Sequence, residues 1–165
     1  MRKLIVFACL FVSSVSVFAQ NTQQDINNQI WKPYIAAYNS FNTEKFMALH
    51  SPELVRVSHD EKLVLSFAEY KKKINRENQF NKNYNVKATI DFRFTQRIES
   101  LQLAHESGIY KLDIIDNIGK KTTLYGKFEV TLRKENGVWK ILVDSDRAGE
   151  GAASEKDFSS AEPLK

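Results

Sequence analysis

The side chains best suited to chemistry in this chain are a few tyrosines, one histidine and two aspartates. Tyr34 and Tyr38 are four residues apart within a helical pattern, so both phenols fall on one stripe. His50 follows a short apolar pattern that reads as a second helix, and Tyr70 belongs to a third. Tyr110 and Tyr125 fall on extended, alternating segments, and Asp144 and Asp146 share one face of the last of these. Arg56 is a cation available to neutralise one of the aspartates. A carboxylate or imidazole base in an apolar cavity, with a hydroxyl to stabilise a developing oxyanion, is the equipment of isomerases and lyases. On that reading the catalytic candidates are His50, Asp144 and Tyr38. A structural account stands beside it. Two tyrosines at helical spacing also suit a core with hydroxyls at its rim. His50 also suits a helix end, and the aspartates suit a strand end paired with Arg56, Arg97 or Arg147.

Several chemistries drop out. His50, His59 and His105 lack the spacing of a metal site, and no nucleophile elbow, phosphate loop or dinucleotide fingerprint occurs. Neither a metal nor a cofactor is expected. The single cysteine, Cys9, lies in the N-terminal leader. That leader has a basic start at Arg2-Lys3, a short apolar run from Leu4 to Val12 and small side chains at Val17 and Ala19. This is the three-part pattern of an export signal, and the expected cleavage follows Ala19. The apolar core is too short to span a bilayer, so no stable membrane anchor is expected after cleavage. A periplasmic or extracellular location follows, and the mature chain must hold together without disulfides. The formal charge of +4 is modest and mixed, and it loses Arg2 and Lys3 with the leader. Together with export, this argues against nucleic acid as a partner.

The elements that must position these side chains change character midway. Residues 22–38 read as an amphipathic helix interrupted by Pro33, which implies a kink or a late start. A short helix around Phe46, two short strands on either side of a polar turn at 58–62, and a third helix capped by Ser66 follow. From Val86 the chain alternates: Val86, Ala88, Ile90, Phe92, Phe94 and Ile98 on one side, Lys87 to Arg97 on the other. Three more strands follow, with Gly108 suggesting a bulge or bend and Asn136-Gly137 a tight hairpin. Residues 147–165 lose the apolar pattern and read as a flexible tail. The fold class is therefore α+β, with a curved antiparallel sheet wrapped around about three N-terminal helices.

The helical opening with Trp31 and Tyr38, the Ser51-Pro52 break, and the strings Gly108-Ile109-Tyr110, Tyr125-Gly126-Lys127-Phe128 and Gly137-Val138-Trp139-Lys140-Ile141 resemble the nuclear transport factor 2-like superfamily. The resemblance covers roughly Asp25 to Asp146 and implies a cone with an internal pocket, within a domain spanning 20–146. That superfamily holds ketosteroid isomerase, dehydratases and polyketide cyclases as well as adaptors and assembly domains, so fold alone leaves function open. The expected lining is Trp31, Tyr34, Tyr38, Phe46, His50, Tyr70, Phe92, Phe94, Tyr110, Phe128, Trp139 and Asp144. Three readings follow: a module binding an apolar or ring-shaped small molecule, a lyase or isomerase, and a homodimeric assembly module joined through the polar outer face of the long strand.

Overall fold

The N-terminal stripe winds as one continuous helix, and Pro33 neither breaks it nor starts it. The computed structural model describes residues 22–149 and 151–165. The expected export leader, its expected cleavage point and the start of the expected domain lie outside the described residues. Residues 22–26 are α-helical, Asn27–Trp31 form a π-helical turn, and α1 (Lys32–Asn39) continues the same path. The Lys32 N–H reaches back to the Asn27 carbonyl, five residues earlier. Pro33 sits at the start of α1, just after this widened turn, where its missing N–H and bulky ring are accommodated. The wider turn also keeps residues spaced by four on one face, so Ile26, Ile30, Tyr34 and Tyr38 point into the same interior.

α2 (Thr43–Met47) is capped by the Asn42 side chain, and β1 (His50–Ser58) begins three residues after it ends. β2 (Leu63–Ser66) runs into α3 (Phe67–Asn83), which Ser66 and Glu69 close with a capping box. Four long strands follow: β3 (Lys87–Glu99), β4 (Leu103–Ile115), β5 (Lys121–Glu135) and β6 (Val138–Arg147). The β5–β6 turn places Asn136 and Gly137 at positive φ, as a two-residue hairpin with matching twist requires.

The seven-stranded sheet has the order β2-β1-β6-β5-β4-β3-β7, the last being the short strand β7 (Glu162–Pro163), and is mixed rather than purely antiparallel. β1 lies parallel to β6, with Arg56 opposite Asp144 and Ser58 opposite Asp146. This long-range pairing brings the two aspartates beside the arginine. Its concave face carries Phe92, Phe94, Phe128, Val130 and Leu132 into a core shared with Ile26, Ile30 and Trp31.

One feature differs from the alternation read in the sequence. A bulge between Phe94 and Gln96 shifts the register by one residue. Beyond it Arg97 turns inward and Ile98, expected inside, is exposed. Across from the bulge, Gly108 permits a close backbone approach: a Cβ there would stand 1.9 Å from the Arg93 carbonyl oxygen and 2.8 Å from the Phe128 ring. Gly108→Ala is expected to cost about 3 kcal/mol of stability, since the obstruction is backbone that cannot swing aside. Urea unfolding measures this; a loss no larger than that of Gly119→Ala would contradict it.

The segment expected to be a flexible tail is instead folded. Ser154 caps α4 (Glu155–Ser160), and β7 (Glu162–Pro163) pairs with β3 at Arg93 and Phe94. Phe158 is buried against the outer sheet face, 5.9 Å from the Tyr125 ring and beneath the Arg93 guanidinium. Among the described residues no helix is long and apolar enough to cross a membrane.

Candidate functional site

Between α1, α3 and the concave sheet lies a cavity of about 270 Å³. Its walls come from elements whose periodicity points them there. The stripe of the first helix supplies Trp31, Tyr34 and Tyr38; α3 supplies Tyr70 and Ile74; the inward phase of the strands supplies Phe92, Tyr110 and Phe128. Tyr34 and Tyr38 lie parallel with ring centroids 6.2 Å apart. Tyr34 meets Phe92 edge-on, and Trp31 packs on Phe92, Phe94 and Phe128. Gly126 leaves the space into which the opposite Tyr110 ring leans.

The polar floor is centred on Arg56. Its Nη2 donates to Asp146 Oδ1 at 2.6 Å, and its Nη1 donates to the Val57 and Asp144 carbonyls. Nε stands 3.7 Å from Asp144 Oδ2, and the guanidinium lies over the Tyr70 ring at 5.3 Å. A bulge at Leu142 sets the phase that turns both aspartates inward after Trp139 and Ile141. Burial alone would raise the Asp144 carboxyl, but the adjacent Arg56 charge and His50 outweigh it and hold the group below its usual range. Asp146 moves the other way: burial, helped by the negative charge of Asp144, raises it despite Arg56. Burial keeps the phenols protonated, with Tyr38 pushed up to about 12. Tyr34, Tyr70 and Tyr110 are raised further by burial and by the neighbouring aspartates. The cavity therefore offers neutral hydroxyl donors beside carboxylates of unlike proton affinity.

Of the residues expected in this lining, eight are present: Trp31, Tyr34, Tyr38, Tyr70, Phe92, Tyr110, Phe128 and Asp144. Phe46, Phe94, Trp139 and His50 are core residues outside its wall. His50 opens β1 instead of ending a helix. Its Nδ1–H donates to the Phe46 carbonyl at 3.0 Å, which aims Nε2 at Asp144 Oδ2, 3.8 Å away. It stands behind the aspartate as a positioning group. His59 bonds Ser145 at the surface, and His105 faces Thr131. Neither touches the cavity. The sequence reading missed the charged rim: Asp60 and Glu61 from the β1–β2 turn, with Lys73 and Glu77 from α3. Their helical spacing placed the α3 pair on one face, but only the fold brings the turn across to it.

A second polar cluster was also missed. Glu106 is 1% exposed and joins two elements. Its Oε2 accepts from Trp31 Nε1, and its Oε1 accepts from Arg97 Nε at 2.7 Å. Arg97 reaches on to Asn27 and lies over the Phe94 ring at 4.1 Å. Burial raises the Glu106 carboxyl, against the opposing pull of Arg97 and Trp31. The inward phase of Ala104, Gly108 and Tyr110 was the available signal for Glu106.

Fold and cavity define a class: an α+β cone in which N-terminal helices and a curved, unclosed sheet surround an aromatic pocket with a charged floor and rim. No family model and no curated protein matches the sequence. Solved structures do match. A nuclear transport factor 2-like protein with a cystatin-like fold from Novosphingobium aromaticivorans aligns with a TM-score of 0.67 at 10% identity, over 93% of this chain and 97% of that one. A nuclear transport factor 2-like protein from Shewanella oneidensis aligns at 0.58 and 20% identity, over 76% and 98%. A ketosteroid isomerase-like protein from Erwinia carotovora atroseptica aligns at 0.54 and 14%, over 69% and 86%. The likeness is one of fold: this chain has the cystatin-like fold of the nuclear transport factor 2-like proteins.

Proposed function

We propose that this domain binds a small, ring-bearing apolar molecule in the cavity between its helices and sheet, and that it does so outside the cytoplasm. The observation that carries the reading is the cavity itself: aromatic walls with polar groups gathered at its floor and rim, the usual division of labour in a small-molecule site. The volume suits a ligand of one or two rings. The export leader supports the location, and N-terminal sequencing of protein recovered from an exporting host tests it: a mature chain beginning at Gln20 is expected.

Native mass spectrometry of the mature protein after soaking in a metabolite extract tests the binding. A discrete added mass is expected, and it should be lost in Tyr38→Ala or Asp144→Asn. A bare protein mass in every extract would overturn the reading.

A second reading, proton transfer at a carbon next to a carbonyl, is favoured by one feature. Asp144 and Asp146 share Arg56 while their proton affinities are pushed in opposite directions, a division that suits one carboxylate as base and the other as proton carrier. The protonated phenols would then stabilise an enolate oxygen. Incubation of the bound ligand in deuterium oxide distinguishes the two readings. Protein-dependent deuterium uptake, abolished by Asp144→Asn, supports proton transfer, and a ligand released without deuterium leaves binding alone.

A further inference from the structure

The charges around the cavity do not balance, and the imbalance says what kind of ligand fits. At the floor Arg56 is shared between Asp144 and Asp146. At the rim Lys73 is shared between Glu61, at 2.7 Å, and Glu77, at 2.6 Å. Each cation therefore faces two carboxylates, and each cluster keeps one uncompensated negative charge. Asp60 adds another, since its oxygens are held only by the uncharged N–H groups of Ala148 and Gly149. This concentration occurs in a chain whose formal net charge is +4. It is a property of the pocket and not of the protein at large.

A second observation is independent of that count. Asp144 lines the cavity with its side chain 8% exposed, while its Oδ2 is enclosed behind the wall and turned toward Arg56 and His50. Arg56 Nε and His50 Nε2 approach it only to 3.7 and 3.8 Å. Neither neighbour closes a hydrogen bond on Oδ2, so the carboxylate's charge is left incompletely offset beside the cavity. The surrounding walls add π faces from Tyr34, Tyr38 and Trp31, which attract cations, as Tyr70 already does for Arg56. No three His, Cys, Asp or Glu side chains among the described residues group to hold a metal ion. The aromatic lining also points to an organic cation.

We infer that the cavity's ligand is a protonated amine carried on an apolar or aromatic ring, with its ammonium group at the carboxylate-rich floor and rim. This rests on the binding reading above and names the ligand class for the same site. The carboxylate excess at the rim draws the cation in, the aromatic walls hold the ring, and the negative charge of the floor stabilises the ammonium group. Arg56 fixes both floor carboxylates in place.

Isothermal titration calorimetry of the mature protein at neutral pH with phenethylamine, 2-phenylethanol and phenylacetate tests the charge with size held nearly constant. The amine is expected to bind about tenfold or more tightly than the alcohol, with the acid weakest. That advantage should shrink as salt is added. It should fall severalfold in Asp144→Asn and in Glu77→Gln, a rim change that leaves the core untouched. Equal affinities for amine and alcohol, or tightest binding of phenylacetate, would overturn the charge inference and leave the binding reading standing. A neutral or anionic adduct from the metabolite extract, with no heat from phenethylamine, does the same. No heat from any of the three compounds and no adduct from any extract removes both.

Discussion

Arg56→Met is expected to lower stability by about 3–5 kcal/mol near pH 7 and to leave the domain more stable in mild acid than at neutrality. Methionine keeps much of the side chain's length and packing over Tyr70, so the loss is electrostatic. In the native protein the two aspartates respond to acid in opposite senses. Asp144, held below its usual range, contributes stability that is present above its unfolded-state pKa and is lost as pH falls through its folded value. Asp146, raised above its usual range, contributes stability that is present below its unfolded-state pKa and is lost as pH rises through its folded value. Their effects offset one another in the carboxylate range. Without Arg56, burial and mutual repulsion act unopposed on both. Each then favours its protonated form in the folded state, and each penalises the fold as pH rises. Urea unfolding followed by tryptophan fluorescence, at several pH values between about 4 and 8, reads this directly. A loss of the same size at every pH would mean that Arg56 acts through its packing over Tyr70 and not through its charge.

The elements that were legible in the sequence are those whose pattern is local. The Ile26-Ile30-Tyr34-Tyr38 stripe, the Ser66 cap and the long alternating strands declare themselves within a window of a few residues, and they place Tyr34, Tyr38 and Tyr70 on the cavity side, whereas Asp144 reaches it only through the bulge at Leu142. What was not legible depends on single-residue shifts or on distant partners. One extra residue at Thr95 reverses the inside and outside of the strand beyond it, and no change in composition marks the place. The parallel pairing of β1 with β6 joins segments nearly ninety positions apart, as with Arg56 and Asp144, and it alone makes the floor of the cavity. The C-terminal segment offers only Phe158 and Leu164 as large apolar side chains. Its order comes from a capping box and a two-residue pairing with β3, both too short to register as a periodic pattern.

Glu106 carries the other large effect, because the Trp31 indole and the Arg97 guanidinium both depend on one buried carboxylate. Glu106→Leu should cost about 3–5 kcal/mol, since it leaves the Arg97 guanidinium without its partner and the Trp31 N–H without an acceptor. Arg97→Met should cost a similar amount by leaving the carboxylate unpaired in the core. The double variant Arg97→Met/Glu106→Leu removes both charges and replaces them with apolar volume, so its loss should be smaller than that of either single variant. Recovery will stop about 1–2 kcal/mol short of the native protein, because the indole N–H of Trp31 remains buried and unmet. Losses that simply add in the double variant would show that the pair contributes no coupling. The same cluster reaches the candidate site through Trp31, whose ring forms part of the cavity wall while its nitrogen is tied to Glu106. Glu106 should therefore act on ligand affinity at a distance. In Glu106→Leu the indole loses its tether, and phenethylamine binding should weaken even under conditions where the variant is fully folded. In Leu132→Ala, a core truncation outside the cavity wall, stability should fall by about 2–5 kcal/mol with affinity unchanged. That contrast separates a positioning role for Glu106 from a general loosening of the core.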